Sequence, residues 1–492
     1  MRPVLPIVVP LATAVLLLLA PKRPLVQRWI AFAGSVALLA SAGWLFAGVE
    51  RTGILVVQIG GWPAPFGITL VADLLAALLV LVAAIVAVAV SASAFAGVDP
   101  RRESFGYHAL LHILFMGVCG AFLTGDLFNL YVWFEVMLVA SFVVMALHRT
   151  TAQVEAAFKY VTINLLASAM FLTALGLLYG SAGTLNMADL ARLWPARDTP
   201  GIDLVLAMLF LMAFGIKAAL FPLFFWLPAS YHAPPAAIGA AFAGLLTKVG
   251  VYALIRVFTL LFTNAPPGVF TLLLAMSAAT MIVGLVAALS QRDFRRILSF
   301  NLVGHIGYTT AGLSLLTPLA LAGSIFYILH HMVVISNLFL VSGVMLRLRR
   351  TTDMEGLGSL YREQPVFAVL AMVPVFSLAG VPPLSGFLGK LAIVQGTFAT
   401  GAYWVGGVVL AVGLLTLLSM SRTWADAFWK PATRGPDTLS PTRPMLATIA
   451  GLSLVTLGIT FGAEELFTLA SRAAAQLLEP DAYARAVLGG TE

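Results

Sequence analysis

Apolar runs of about 20 residues, separated by short polar or basic stretches, recur along the whole chain. A run of that length, coiled as a helix, crosses the hydrocarbon core of a bilayer. Fourteen are read, at 4–20, 29–49, 69–97, 108–124, 127–147, 157–180, 203–225, 236–262, 269–289, 294–316, 319–346, 366–400, 403–425 and 445–462. The longest connections, 50–68, 181–202 and 347–365, are too short for a soluble domain. The tail from Gly462 is partly amphipathic and is expected at a membrane surface. The pattern predicts an all-α polytopic membrane protein.

Two of the runs carry breakers. The seventh passes Phe214-Gly-Ile-Lys217 and then meets Pro222 and Pro228, and the twelfth holds Ala379-Gly-Val-Pro382-Pro383-Leu-Ser-Gly386 shortly before Lys390. Proline removes a backbone donor and disrupts the preceding turn. Irregular backbone at membrane depth is tolerated where it is buried in protein or lines a wet cavity. Broken helices at matching places suggest internal repeats around an ion site. Lys217 and Lys390 are 173 positions apart, and Glu135 and His305 are 170 apart. These offsets fit two five-helix repeats, spans four to eight (108–262) and nine to thirteen (269–429). An odd number of spans makes such repeats inverted relative to each other. Three helices (1–107) precede them, and a fourteenth with the tail (430–492) follows.

Composition agrees: 61% of the 492 residues are hydrophobic, 10% are charged, and mean hydropathy is +1.00. Soluble domains carry about a quarter charged residues. The net charge of +7 is not a nucleic-acid signal, because the basic residues fall in short loops. The single cysteine, Cys119, lies in an apolar run and reads as a small core residue. The N-terminus imitates a secretory signal, with Arg2 and the run Leu11 to Ala20, but Lys22, Arg23 and Arg28 follow where a cleavage site would be. It is read as an uncleaved first span. With the N-terminus outside, the inner loops hold seventeen Lys and Arg, the outer segments six, and five lie within spans. That bias predicts both termini on the outer face and an even number of spans.

The five cations within spans are Lys217, Lys248, Arg256, Lys390 and Arg422, and the one carboxylate near a span centre is Glu135. An ionisable group at that depth costs several kcal/mol, about 2.5–3.5 on insertion scales, and tends to mark an ion or proton pathway. Lysine suits proton transfer, because a buried amine can release its proton near neutral pH and a guanidinium cannot. Glu135 has no polar neighbour in sequence, so it is neutral or paired across helices, and Lys217 is its best partner. The alternative is a purely structural ion pair. Lys248 has apolar runs on both sides, which argues against snorkelling, whereas Arg256, two turns on, reads as a snorkeller. Asp73 and Asp126, nearer span ends, read as solvated loop groups. On span eleven His330 and His331 precede Ser336 and Asn337, with His330 and Asn337 on one face. Histidine is a natural relay because its pKa is near 6.5, although a lone core histidine is more often merely hydrogen-bonded. His305 is a weaker candidate of the same kind. Gly386-Phe-Leu-Gly-Lys390 imitates the end of a phosphate-binding loop, but Leu391 replaces the required Ser or Thr and no strand precedes it. No dinucleotide fingerprint or metal motif is present, so no cofactor and no metal are expected, and any energy comes from an ion gradient or a partner.

Five stretches carry a resemblance: Phe134-Glu135-Val-Met-Leu, Gly215-Ile-Lys217-Ala-Ala-Leu-Phe-Pro-Leu-Phe-Phe-Trp-Leu-Pro228, Ala229-Ser-Tyr-His-Ala-Pro-Pro235, Thr247-Lys248-Val-Gly-Val-Tyr-Ala-Leu-Ile-Arg256 and Gly380-Val-Pro-Pro-Leu-Ser-Gly-Phe387. With them the chain resembles the antiporter-like family shared by complex I, membrane-bound hydrogenases and Mrp-type multisubunit cation/proton antiporters, and most of all its Mrp D-subunit branch. The likeness covers roughly spans three to thirteen. It implies that Glu135 and Lys217 are the ion pair of a first half-channel and that Lys248 is the central relay. It further implies that His330 or His331 continues a hydrophilic axis and that Lys390 is the terminal lysine of a second half-channel. One complex I homologue carries glutamate at that last position, which Lys390 disfavours. Another, like the large Mrp subunit, extends well past span fourteen, and this sequence ends at Glu492. Arg422-Thr-Trp-Ala-Asp-Ala-Phe-Trp429 also favours the D branch. The implied function is a non-enzymatic, proton-conducting subunit of a multisubunit Na+/H+ antiporter. Its implied partners are other membrane subunits, protons, Na+ and the bilayer, with no nucleic acid. The alternatives are a proton-pumping subunit of a complex I-like dehydrogenase or hydrogenase, recognisable by neighbouring redox genes, and a standalone carrier for an organic solute.

Overall fold

Backbone N–H and C=O groups find no partners in hydrocarbon, so apolar runs of this length close their hydrogen bonds within themselves, as helices. The computed structural model describes residues 1–96, 103, 105–147, 150–195, 200–263, 265–432 and 442–489. Its first helices are α1 Leu5–Leu19 and α2 Pro24–Thr52. A two-stranded antiparallel hairpin follows, β1 Leu55–Gln58 with β2 Thr69–Ala72, in the register Leu55↔Ala72. Next come α3 Leu74–Ser93, α4 Tyr107–Leu123, α5 Leu127–Ala146, α6 Thr151–Ala182 and the short α7 Met187–Leu193. The chain continues with α8 Pro200–Ala218, α9 Trp226–Ser230, α10 Ala236–Ala241, a π-helical turn Phe242–Leu246 and α11 Thr247–Leu260. Then follow α12 Pro267–Ser290, α13 Phe294–Leu315, α14 Pro318–Arg349, α15 Leu360–Glu363, α16 Pro365–Ala379, α17 Ser385–Ala399 and α18 Tyr403–Trp424. The described chain closes with α19 Arg443–Phe461, α20 Ala463–Leu477 and α21 Pro480–Leu488.

Among the described residues eleven helices are long and apolar enough to cross a membrane, and Tyr107–Leu123 and Pro365–Ala379 are apolar but shorter. The expected span at 294–316 is a helix but is not one of the eleven, because Arg295 and Arg296 open it and Asn301 and His305 lie along it. The connection 50–68 is not plain loop. Its hairpin qualifies the all-α expectation, since β-branched and apolar residues on both arms let the backbone pair with itself. Of the loop cations counted for orientation, Arg101, Arg102, Arg149, Arg197 and Arg434 lie outside the described residues.

Helix starts are set by short polar side chains. Asp73, Asp126, Thr150, Asp293 and Thr317 each accept a hydrogen bond from the backbone N–H three residues on. Such caps contribute about 1 kcal/mol apiece. Two helical stretches are buried all round, Ile238–Leu260 and Leu321–Leu340, and they form the centre of the molecule. A helix with no solvated face belongs in the interior, and these two carry Lys248, His330 and His331.

The two ends of the described chain lie at the same end of the bundle, where the first turn and the last helix each meet the hairpin, and Gln58 Nε2 donates to Val487 O. The amphipathic tail does not merely rest on a surface. Helix α20 buries Ala470, Ala473, Ala474 and Leu477 against α14 and α3, and Gln476 Oε1 accepts from Leu74 N.

Candidate functional site

Helix α8 stops at Ala218, one residue past Lys217. Ala219 takes a left-handed conformation (φ 65°), which costs a residue with a Cβ about 1–2 kcal/mol. Pro222 then supplies no donor to resume the helix. The freed groups are satisfied by side chains: Trp226 Nε1 donates to Ile216 O at 2.9 Å, and Thr280 Oγ1 accepts from Phe221 N at 2.9 Å. Helix α11 crosses close over this break, because a Cβ on Gly250 would stand 2.5 Å from Ala218 N. The break thereby holds Lys217 and Lys248 in one neighbourhood.

Lys217 is buried, and its Nζ donates to Ser168 Oγ (2.9 Å) and to Asn164 O (3.4 Å) of α6, 5.2 Å from the centre of the Phe134 ring. Glu135 is half-buried, within electrostatic reach of Lys217, Tyr131 and Tyr160. No salt bridge joins Glu135 to Lys217 among the described residues, and Glu135 Oε1 meets no hydrogen-bond partner there. The two charges expected to touch are therefore not in direct contact, and Lys217 is instead held by α6 and the Phe134 ring. A cavity of about 20 Å³ lies between Lys217, Asn164, Tyr160, Trp226 and Leu246. That is room for about one water, and it leads from Lys217 to the helix of Lys248.

The π-turn Phe242–Leu246 widens the helix just before Lys248 and turns the Ala243 carbonyl to the lysine, whose Nζ donates to it at 2.6 Å. π-turns inside α-helices are frequent at functional sites. Lys248 is 2% exposed, which removes snorkelling as its explanation. It lies within electrostatic reach of His331 and His305.

From there a file of rings crosses the second half. His331 stacks on His305, with centroids 5.1 Å apart and planes 5° apart. His305 Nδ1 is hydrogen-bonded to Tyr327 OH, and the two rings stack at 5.8 Å. Tyr327 lies 5.5 Å from the Tyr308 ring, and Lys390 Nζ lies 5.3 Å from the centre of Tyr308. His330, adjacent in sequence to His331, points away from it toward the second break. Its Nδ1 pairs with Ser385 Oγ at 2.8 Å, and Ser385 Oγ pairs with Ser377 Oγ at 2.9 Å. The pair His330–Asn337 does not act together, because Asn337 Nδ2 turns to Ser453 Oγ and Ile449 O on α19.

Helix α16 ends at Gly380, whose φ of +82° suits a residue without a Cβ. Lys390, one turn into α17, donates to the last carbonyls of α16, Leu378 O at 3.2 Å and Ala379 O at 3.0 Å. A cation at a helix C-terminus interacts favourably with its dipole. Lys390 also borders a groove of about 500 Å³ lined by Gly380, Pro382, Leu410 and Leu414. The phosphate-loop imitation at Gly386–Lys390 is simply the first turn of α17.

Sequence reasoning missed Tyr308, Tyr327, Ser385 and Ser168. The tyrosines had a signal: Tyr308 is three residues after His305, and Tyr327 three before His330, spacings that share a helix face. Two readings are corrected. Arg256 does not snorkel; it is buried and paired with Asp73 at 2.6 Å. Asp73 and Asp126 are helix caps, and Asp73 is fully buried. Cys119 is buried in the core, as its surroundings in sequence indicated. A further cluster, unread in the sequence, joins Arg28, Glu103 and His108. Arg28 forks onto Glu103 at 2.7 and 3.1 Å, and His108 Nε2 meets the same carboxylate at 3.1 Å. Among the described residues no group of three or more His, Cys, Asp or Glu is placed to hold a metal ion.

Residues 124–417 match the family model described as NADH:quinone oxidoreductase/Mrp antiporter, transmembrane region. The chain is 42% identical to the D subunit of the Na(+)/H(+) antiporter of Alkalihalophilus pseudofirmus over 486 residues, 99% of each chain. It is 38% identical to the corresponding D subunit of Bacillus subtilis, again over 99% of each. Among solved structures it superposes on a chain of the Mrp complex from Dietzia sp. with a TM-score of 0.92, at 32% identity and 99% coverage of both. A chain of an archaeal membrane-bound sulfane sulfur reductase gives 0.90 at 27% identity, also over 99% of both. With identity of 38–42% over 99% of its length and the family match over 124–417, the chain belongs to the D-subunit family of Mrp-type Na+/H+ antiporters.

Proposed function

We propose that this chain is the proton-conducting subunit of a multisubunit monovalent cation/proton antiporter, seated among other membrane subunits. The observation that carries the reading is the set of buried titratable groups Lys217, Lys248, His331, His305, Tyr327, Tyr308 and Lys390, which are in ring or hydrogen-bond contact from His331 to Lys390. Ionisable groups are expensive at membrane depth and mark proton relays. Amines, imidazoles and phenols in near contact can pass a proton by short transfers, aided by single waters such as the cavity beside Lys217 would hold.

In this reading Glu135 and Lys217 load the first half, Lys248 is the central relay, His331 and His330 lead into the second half, and Lys390 is the terminal group. The chain crosses the membrane fourteen times, with both termini outside. Its units are helices 1–3 (1–107), two inverted five-helix repeats (108–262 and 269–429) and the last helix with its tail (430–492), the seventh and twelfth spans being interrupted. What supports the repeats is that each interruption stands beside a buried lysine and that α9 and α17 restart the helix after it.

The test is Na+-driven proton movement in inverted vesicles from cells carrying the whole complex. Lys248→Met should abolish it while the complex assembles at its normal level. Wild-type exchange in that variant would falsify the relay.

A further inference from the structure

The helix that carries Lys248 also carries Tyr252 and Arg256, at steps of four residues, so the three share one face. The stripe runs toward the end of the bundle that holds both termini, about 12 Å from Lys248 to Arg256 at 1.5 Å per residue. The groups on it are fixed in place. Tyr252 OH donates to Phe122 O at 2.8 Å, and Arg256 Nε donates to Tyr252 OH at 3.3 Å. Arg256 Nη2 donates to Asp73 Oδ2 at 2.6 Å, while Asp73 Oδ1 accepts from Ala76 N at 2.9 Å. The guanidinium is sandwiched between the rings of Tyr252 (5.3 Å) and Tyr483 (5.2 Å), the latter supplied by α21 of the tail. Arg256 and Asp73 are each 3% exposed.

This arrangement is a poor relay. Arginine does not deprotonate in proteins. Both oxygens of Asp73 are engaged, and Tyr252 already donates to a carbonyl. A fixed guanidinium bars protons and cations in some pores; here Asp73 offsets its charge, and what stands in the path is a hydrogen-bonded plug with no releasable proton. A buried ion pair is weak evidence of stabilisation, since well-packed apolar residues often hold helices as well. Its position between the central lysine and the surface suggests a different use.

We propose that Arg256, held by Asp73 and roofed by Tyr252 and Tyr483, is a proton barrier closing the direct path from Lys248 to the end of the bundle that holds both termini. Protons reaching Lys248 then leave sideways, toward His331 and Lys390. The proposal rests on the reading of Lys248 as a relay.

The experiment uses the assembled complex in liposomes and records internal pH after a potential is imposed, without Na+ and then with it. Arg256→Lys keeps the charge but replaces the guanidinium by an amine that can release its proton. It should raise Na+-independent proton entry about tenfold, equivalent to about 1.4 kcal/mol off the barrier. The double variant Asp73→Asn with Arg256→Gln removes both charges and with them the ion pair that fixes the plug, and it should leak likewise. An assembled Arg256→Lys complex that is as tight as wild type overturns the barrier. Should that variant not assemble, a double variant as tight as wild type overturns it equally. Absence of Na+-linked exchange in the wild-type complex would instead count against the proposed function, and the sodium-free leak is read separately.

Discussion

At the scale of single residues, the lysines differ in what surrounds them. Lys217 faces a serine hydroxyl, a carbonyl and a phenyl ring, with Glu135 at a distance, so its proton is not locked in a direct ion pair. Lys390 spans two carbonyls at a helix end. Arginine could keep that charge and cap, but it could not give up a proton. Lys390→Arg and Lys217→Arg are therefore expected to lower vesicle antiport at least tenfold at normal expression. Normal transport by Lys390→Arg across pH 7 to 9 would make that lysine an electrostatic fixture. Tyr327→Phe tests the ring file more finely. It keeps the stacked ring but deletes the hydroxyl bonded to His305. Loss of a positioned proton-transfer group slows exchange about a hundredfold or more; an unchanged initial rate would remove Tyr327 from the route.

Among elements, the breaks and caps decide geometry. Two helices stop where proline or glycine ends them, and in each case a lysine stands at the opening. At the end of the bundle opposite the termini, Glu103 ties α2 to α4 through Arg28 and His108. Burial alone would raise the Glu103 carboxyl, but the hydrogen bonds from His108 and Arg28 outweigh it and hold the pKa below its ordinary value of 4.5. A depressed acid contributes stability above its unfolded pKa and loses it as pH falls through the folded one. Thermal stability of the detergent-solubilised protein should therefore fall below pH 4.5, more in wild type than in Glu103→Gln. At pH 7 Glu103→Gln should cost about 1–3 kcal/mol, the range for a buried charged partner lost. Equal pH profiles for the two proteins would show that the carboxylate contributes nothing there.

For the whole molecule, the titratable groups along the route from Lys217 to Lys390 are amines, imidazoles and phenols, whereas a hard cation such as Na+ needs several oxygen ligands, usually including carboxylates. Asp73 is committed to Arg256 and a backbone N–H, and Asp126 to a helix start. Sodium is therefore expected to bind elsewhere in the complex. An anomalous-scattering search with thallium in place of sodium checks this. A well-occupied site enclosed by oxygens of this chain, and lost on mutating them, would overturn it.

Hydropathy alone determined the membrane class and the helical fold, because a chain in hydrocarbon must satisfy its backbone internally and has few ways to do so. It also exposed Lys217, Lys248 and Lys390, since charge in an apolar run is conspicuous wherever the run ends up. What the sequence could not decide was partnership. Glu135 and Lys217, the obvious pair of opposite charges, form no salt bridge among the described residues, while Arg256 and Asp73, both read as edge residues, meet at 2.6 Å in the interior. The adjacent His330 and His331 diverge because neighbouring helix positions point about 100° apart. The tail that looked like a surface helix supplies Tyr483 to a buried arginine more than 200 residues away. Periodicity fixes which side chains share a face of one helix. Only packing between helices decides which of those faces meet, and the route of the proton depends on that meeting.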